Sequence, residues 1–175
     1  MGFIALGINH KTASISLREK VAFLPESLPL SLQTACARTG VSELAIVSTC
    51  NRTEFYGVGE QVQSLLLWLS QERQINSQEL QSCVYQYHDQ HALRHLMRVA
   101  SGLDSMIVGE QEIITQLRKA YEVCENLKVT GDDLRLLIQA AIRVGKEVYT
   151  ETNLSKKPVS IVSIAWNEFR KKQFP

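Results

Sequence analysis

The alternation of apolar and polar positions changes period near the middle of this chain. Up to about residue 87, short runs rich in Val, Ile, Phe and Tyr alternate with helical stretches. Phe3 to Ile8 is the first such run and predicts a strand, closed by the turn-prone Gly7 and Asn9. Ser16-Leu17-Arg18-Glu19 has the spacing of a capping box, which predicts a short helix with Ser16 at its cap. A second helix is expected from about Pro29 to Arg38, with Leu28, Leu32 and Ala35 inward and Gly40 ending it. Glu43 to Ser48 and Thr53 to Val58 predict two more strands. Leu65 to Trp68 falls on a helix, Asn76-Ser77 caps another turn, and Cys83 to Tyr87 reads as a fourth short strand. The order is β-α-β-β-α-β, that of a ferredoxin-like split unit.

From about Asp89 the apolar period becomes 3.6. Leu93, Leu96, Met97 and Ala100 mark one helical face, and Ile113, Leu117, Ala120, Tyr121 and Cys124 a second. Leu134, Leu137, Ile138, Ala141, Gly145 and Val148 mark a third, after the break Thr130-Gly131-Asp132. The fold class expected is therefore α+β: a ferredoxin-like subdomain over residues 1–87 followed by an α-helical subdomain over 88–152. Residues 153–175 read as the start of a connecting helix, amphipathic from Val159 to Phe169, and the simplest expectation is a chain cut within or just after it.

Composition adds exclusions. Hydrophobic residues make up 45% and charged residues 21% of the 175, a globular balance, and the net charge of +1 rules out histone-like, purely electrostatic binding of nucleic acid. The longest apolar run, Leu65 to Leu69, is far short of a membrane span, and the first residues lack a signal-peptide pattern, so a cytoplasmic chain with no membrane partner is expected. Cys36, Cys50, Cys83 and Cys124 are widely separated with no C-x-x-C pair, so neither a zinc site nor a disulfide scaffold is expected. His91 and His95 are four apart on one helix face but lack the H-E-x-x-H pattern, and no metal site is expected there. Gly57-Val58-Gly59 lacks the third glycine of a dinucleotide fingerprint. Arg135, Arg143 and Lys146, or the basic tail Arg170-Lys171-Lys172, offer weak phosphate-binding candidates, but charges at such positions are usually solvated.

Two segments concentrate polar chemistry. In Ser48-Thr49-Cys50-Asn51-Arg52-Thr53-Glu54 an apolar strand delivers a cysteine to a turn beside a cation and hydrogen-bond donors. A cation favours the thiolate, which is the nucleophile, and Thr and Asn can donate to a carbonyl oxygen. The alternative is a small apolar strand residue, with Arg52 and Glu54 a surface ion pair. The second segment, Ser101-Gly102-Leu103-Asp104-Ser105 through Gly109-Glu110, either holds a polar ligand or caps two helices, with Gly102 ending one and Asp104 or Ser105 starting the next; its pattern favours capping. His95, beside Leu96 and Met97, reads from pattern as a buried, satisfied histidine.

These segments together resemble the glutamyl-tRNA reductase family. The resemblance rests on Gly7-Ile8-Asn9-His10-Lys11-Thr12-Ala13 with Leu17-Arg18-Glu19, on Ser48 to Glu54, and on His95 to Ser105 continuing through Val108-Gly109-Glu110 and Gln116, in order over almost the whole chain. It implies that the Cys50 thiolate attacks the ester of glutamyl-tRNA, leaving a glutamyl thioester that NADPH reduces to glutamate-1-semialdehyde for tetrapyrrole (porphyrin) synthesis. Carried over by position, Cys50 is the nucleophile and His95 the supporting histidine. Thr49, Asn51 and Arg52 line the glutamyl site, Arg52 facing the substrate carboxylate. Ser105, Glu110, Gln111, Glu112 and Gln116 complete it, with Glu110 on the α-ammonium. On this resemblance the capping and core-histidine readings give way to site roles.

Two departures are local: Glu112 stands where the family has Gln, and Ser14 where many relatives have Pro. The resemblance also implies an NADPH-binding domain and a dimerising domain beyond the connecting helix, outside these residues. The chain alone is then expected to acylate itself and hydrolyse glutamyl-tRNA without reducing it. Implied partners are glutamyl-tRNA, a second copy in a homodimer, and the semialdehyde aminomutase of the next step. The rival readings are a tRNA- or partner-binding module with a structural Cys50 and, less supported, a tetrapyrrole-sensing domain.

Overall fold

The structure is a computed structural model that describes residues 2–60, 62–156 and 169–170. Four strands form one sheet: β1 (Phe3–Asn9), β2 (Glu43–Ser48), β3 (Arg52–Val58) and β4 (Tyr85–His88). Their order is β2-β3-β1-β4 and every neighbouring pair is antiparallel. Helices α1 (Ile15–Val21) and α2 (Leu28–Thr39) connect β1 to β2, and α3 (Val62–Glu72) and α4 (Ser77–Cys83) connect β3 to β4. This is the ferredoxin-like arrangement the sequence predicts, followed by α5 (Asp89–Ala100), α6 (Glu112–Asn126) and α7 (Asp132–Glu151).

β1 and β3 are buried along all seven residues, which requires cover on both faces of the sheet. On one face Phe55 packs against Phe23 and the α3 residue Trp68. On the other, Tyr56 lies against the α5 residue His95, and α5, α6 and α7 pack over β1, β2 and β3 respectively. The predicted helix faces point into this layer: Leu96, Ala100, Ile113, Leu117, Tyr121, Cys124, Leu134, Ile138 and Ala141 are all buried. The α5–α7 crossing is close because Gly145 has no side chain; a Cβ there would sit 2.5 Å from the Ala100 carbonyl oxygen.

β1, α2 and β3 run a residue beyond their predicted bounds, and three features differ in more than length. The cap of α1 is Ser14, not Ser16: Ser14 is extended and its Oγ accepts from Leu17 N at 3.3 Å, while Ser16 lies inside the first turn. Asn76 Oδ1 accepts from Gln78 N and Glu79 N, and the helix it caps runs through Cys83; β4 begins only at Tyr85, where pairing with Gly7 starts. Helix α7 takes its cap from another element. Glu43 Oε2 of β2 accepts from Gly131 N and Leu134 N, each at 2.8 Å, placing a carboxylate on the positive end of the helix dipole.

The helix predicted from Val159 to Phe169 falls outside the described residues except for Phe169, which is helical with Arg170. No helix among the described residues is long and apolar enough to cross a membrane.

Candidate active site

β2 and β3 are joined by three residues, Thr49, Cys50 and Asn51, and the turn is tightly bonded. Thr49 N donates to the Arg52 carbonyl at 2.8 Å, and Thr49 Oγ1 accepts from Asn51 N and Arg52 N, both at 3.2 Å. Two neighbouring segments hold it from outside. Arg18 of α1 donates from Nη1 to the Cys50 carbonyl at 2.6 Å and to Asn51 Oδ1 at 3.3 Å, and His10 N donates to the Asn51 carbonyl at 3.0 Å. Cys50 thus stands exposed on a turn with little freedom to move, and is no apolar core residue. The contrast is Cys124, where burial pushes the thiol up to about 12. The histidine at this turn is His10. Burial first, then the nearby Lys11 and Arg52 cations, lowers its pKa, and its Nδ1 is buried without a partner among the described residues.

Beneath the turn lies a buried polar network centred on Glu54. Arg52 and Glu54 are 2% and 1% exposed, so the surface ion pair considered from sequence is an interior one. Arg52, Glu54 and Tyr56 share the face of β3 turned toward α5, and all three meet. Arg52 Nη1 donates to Glu54 Oε1 at 2.8 Å, and Tyr56 Oη donates to Oε2 at 2.5 Å. Tyr85 Oη of β4 also donates to Oε1, and His95 Nε2 lies 2.9 Å from it. Room for the carboxylate comes from Gly7, directly opposite Glu54 in the sheet; a Cβ there would meet Glu54 Cγ at 2.8 Å. Burial alone would raise the Glu54 pKa, but the Arg52 guanidinium, with His95 and the Tyr56 hydroxyl, outweighs it and holds the carboxyl at about 2. The same anion and burial push both tyrosine hydroxyls up, keeping them neutral donors.

This network fixes where the sequence-derived site residues go. Arg52 uses its other nitrogen, Nη2, on the Asp104 carbonyl at 2.5 Å, so its guanidinium joins Glu54 to the 101–110 loop. His95 is 8% exposed, its ring among Tyr56, Tyr85 and Tyr87. It is the buried, satisfied histidine of the pattern reading, and its link to the Cys50 turn runs through Glu54 and Arg52.

The 101–110 segment begins as a helix cap. Leu103 N bonds the Arg98 carbonyl and Gly102 N that of Val99, with Gly102 left-handed at φ 67°: a Schellman ending for α5. Neither Asp104 nor Ser105 caps the next helix, which starts at Glu112 behind Gln111. Asp104 instead receives Lys11 Nζ at 2.6 Å and Asn9 Nδ2 at 3.5 Å. Ser105 Oγ is buried with no partner among the described residues. Gly109 N closes the loop on the Gly102 carbonyl at 2.9 Å, and Glu110 backbone packs against Gly102 so closely that a Cβ there would fall 2.8 Å from its oxygen.

Gln116, one turn into α6, lines a hollow of about 450 Å3 together with Ser48, the residue before Thr49. Gln111 and Glu112 are exposed; Gln111 borders a different hollow, with Lys146 and Tyr149. The structure therefore groups Thr49, Cys50, Asn51, Arg52 and the Asp104–Ser105 loop, and among the described residues no hydrogen bond brings Gln111 or Glu112 to them. From sequence, Glu54 was read as a surface ion-pair partner and Asp104 as a possible helix cap, while Tyr85, Lys11, Arg18 and His10 received no site role. One signal was available: Arg52, Glu54 and Tyr56 alternate with Thr53 and Phe55, which puts three polar groups on one face of a strand. Gly57 lies within antiparallel β3, where a Cβ would meet the Glu43 carbonyl oxygen at 2.9 Å, so strand packing accounts for this glycine.

Comparison with known proteins bears on the family and the fold. Residues 6–152 match the family described as Glutamyl-tRNAGlu reductase, N-terminal domain. A glutamyl-tRNA reductase of Ectopseudomonas mendocina (strain ymp) is 47% identical over 167 residues, covering 94% of this chain and 39% of that protein. One from Saccharophagus degradans is 45% identical over 166 residues, with 94% and 39% covered. The solved glutamyl-tRNA reductase from Methanopyrus kandleri superposes with a TM-score of 0.78 at 31% identity, over 97% of this chain and 39% of that one. The chain spans about two fifths of the length of these relatives.

Proposed function

Because the chain belongs to the glutamyl-tRNA reductase N-terminal domain family, we propose that it carries the acyl-transfer half of that enzyme's reaction, with Cys50 as nucleophile and glutamyl-tRNA as substrate. The observation that carries the reading is the placement of Cys50: an exposed thiol on a short turn held by Arg18, His10 and Thr49, directly above a buried charge network. Holding a nucleophile in one geometry supplies much of the advantage of an intramolecular reaction.

In the reaction the Cys50 sulfur attacks the ester carbonyl carbon. The bond from that carbon to the ribose oxygen breaks, the oxygen takes a proton and leaves with the RNA, and glutamate remains as a thioester. Thr49 and Asn51 are placed to orient the carbonyl. Arg52 positions the 101–110 loop, bringing the unpartnered Ser105 hydroxyl to the glutamyl group. Glu54 holds Arg52 and His95 in place. NADPH, when bound by the whole enzyme, supplies the hydride that reduces the acyl group; the step that belongs to the present residues precedes it. With water as acceptor instead, the thioester yields glutamate and regenerates the thiol.

Competitive alkylation with peptide mapping tests the assignment. Cys50 is expected to be modified before Cys36, Cys83 and Cys124, and to be protected by glutamyl-tRNA more than by uncharged tRNA. Equal modification with and without glutamyl-tRNA would leave only a binding module with a structural cysteine.

A further inference from the structure

Beside the Glu54 network opens a cavity of about 390 Å3, inside the range of roughly 300–1,000 Å3 typical of ligand sites. The α5 residues His91, Arg94 and Arg98, at helical spacing, contribute one side of its lining; Lys11 and Asp104 come from the end of β1 and the 101–110 loop, and Tyr87 from β4. Its charge is unbalanced. Asp104 is its one carboxylate and is already held by Lys11 at 2.6 Å, with Arg52 at 3.7 Å; Glu54 beneath is matched by Arg52. Arg94 and Arg98 are exposed and have no ion pair or hydrogen-bond acceptor among the described residues. Tyr87 is 36% exposed, with its ring backed by His95 at 4.9 Å and Tyr85 at 5.6 Å between centroids.

Unpaired guanidinium groups suit phosphate oxygens, and an aromatic ring held from behind suits the face of a nucleobase. The two arginines are about 6 Å apart along the helix, a spacing that fits successive anionic groups of one strand better than a lone anion. The cavity also adjoins the reactive turn: Asn9 lines it, and the next residue, His10, bonds Asn51.

We propose that this cavity binds the single-stranded 3′ end of the aminoacylated RNA, with Arg94 and Arg98 on its phosphates and Tyr87 against a base. The proposal rests on the acyl-transfer reading, and its test separates the two. Cys50→Ser protein is titrated across a series of NaCl concentrations with an unacylated RNA hairpin carrying a single-stranded 3′ tail, and with the same hairpin lacking the tail. Adding Arg94→Gln and Arg98→Gln is expected to weaken binding of the tailed hairpin about tenfold at the lowest salt. It should also flatten the slope of log affinity against log salt by about 1.4, two single-strand contacts at about 0.7 each, and leave the tailless hairpin unaffected. Tyr87→Ala should weaken tailed binding by about tenfold without changing the slope. Arg38→Gln, on α2 where its guanidinium donates to Gln71, removes one charge away from the cavity, controls for each single arginine variant and should change nothing.

Unchanged affinity and slope in the double variant would overturn the proposal, as would equal loss for both hairpins or the same loss from Arg38→Gln. Circular dichroism checks that each variant folds, and the single arginine variants and Tyr87→Ala carry the test if the double variant does not. Glutamyl transfer is measured in parallel with Cys50 intact. No transfer there counts against the acyl-transfer reading, whereas normal transfer with unaltered tail binding in the double variant counts against the RNA-end site alone.

Discussion

Replacing Glu54 with Gln keeps the size of the side chain but removes the anion facing Arg52 and turns one of its two accepting oxygens into an NH2 donor. The carboxyl is held at about 2 against an ordinary 4.5. A drop of that size on folding contributes about 3 kcal/mol at neutral pH, at about 1.4 kcal/mol per decade. Breaking a buried pair by removing one partner costs about 3–5 kcal/mol on general grounds, because the other charge is left uncompensated. Glu54→Gln should therefore lose about 3 kcal/mol at pH 7. The sign of the pH dependence follows from the lowered pKa. The stabilisation is complete above 4.5 and is lost as pH falls toward 2, where parent and variant both hold a charged Arg52 beside a neutral group. Urea unfolding followed by tryptophan fluorescence reads this directly, since Trp68 is 2% exposed. The gap between the two proteins should shrink from about 3 kcal/mol at pH 7 to under about 1 kcal/mol near pH 2. A gap that stays constant across this range, or one below about 1 kcal/mol at pH 7, would refute the reasoning.

Three further substitutions probe other parts of the frame. Glu43→Ala removes the carboxylate that receives Gly131 N and Leu134 N and should cost about 1–2 kcal/mol in urea unfolding, with hydrogen exchange rising first at the start of α7. Gly145→Ala forces a Cβ against the Ala100 carbonyl and should lower stability by about 1–3 kcal/mol, seen as a reduced Tm. Arg18→Gln removes a half-buried clamp on the Cys50 and Asn51 oxygens; stability should change by about 1 kcal/mol, while the rate of Cys50 acylation falls about tenfold.

Local pattern carried the sheet and the helices well. β2 has the predicted bounds, α6 buries all five residues that its 3.6-residue spacing selects, and α7 buries Leu134, Ile138, Ala141 and Gly145 with Leu137 and Val148 half-buried. Where the reading slipped, the deciding partner was remote or the choice lay between two equivalent signals. Ser14 and Ser16 both present a hydroxyl near the start of α1, and only the extended backbone at Ser14 decides between them. The cap of α7 comes from Glu43, 88 residues before Gly131, which no local motif could indicate. Position also explains the site. Cys50 was legible because its turn is local, whereas the Arg52–Glu54 pair looked superficial: adjacent charges along a chain usually are. Its burial depends on α5 covering that face of β3 and on His95, 41 residues away, meeting the carboxylate. The likeness in sequence named His95 as a site residue, and the geometry shows it bonded to Glu54, a connection that spacing alone does not contain.

Intact-mass spectrometry of the protein after brief incubation with glutamyl-tRNA, beside Cys50→Ser, addresses the central claim most directly. The account predicts a glutamyl adduct on the parent and none on the variant or, if water discharges the thioester quickly, free glutamate released by the parent alone. Absence of both adduct and deacylation in the parent, with the RNA still bound, would contradict the assignment of Cys50 as nucleophile.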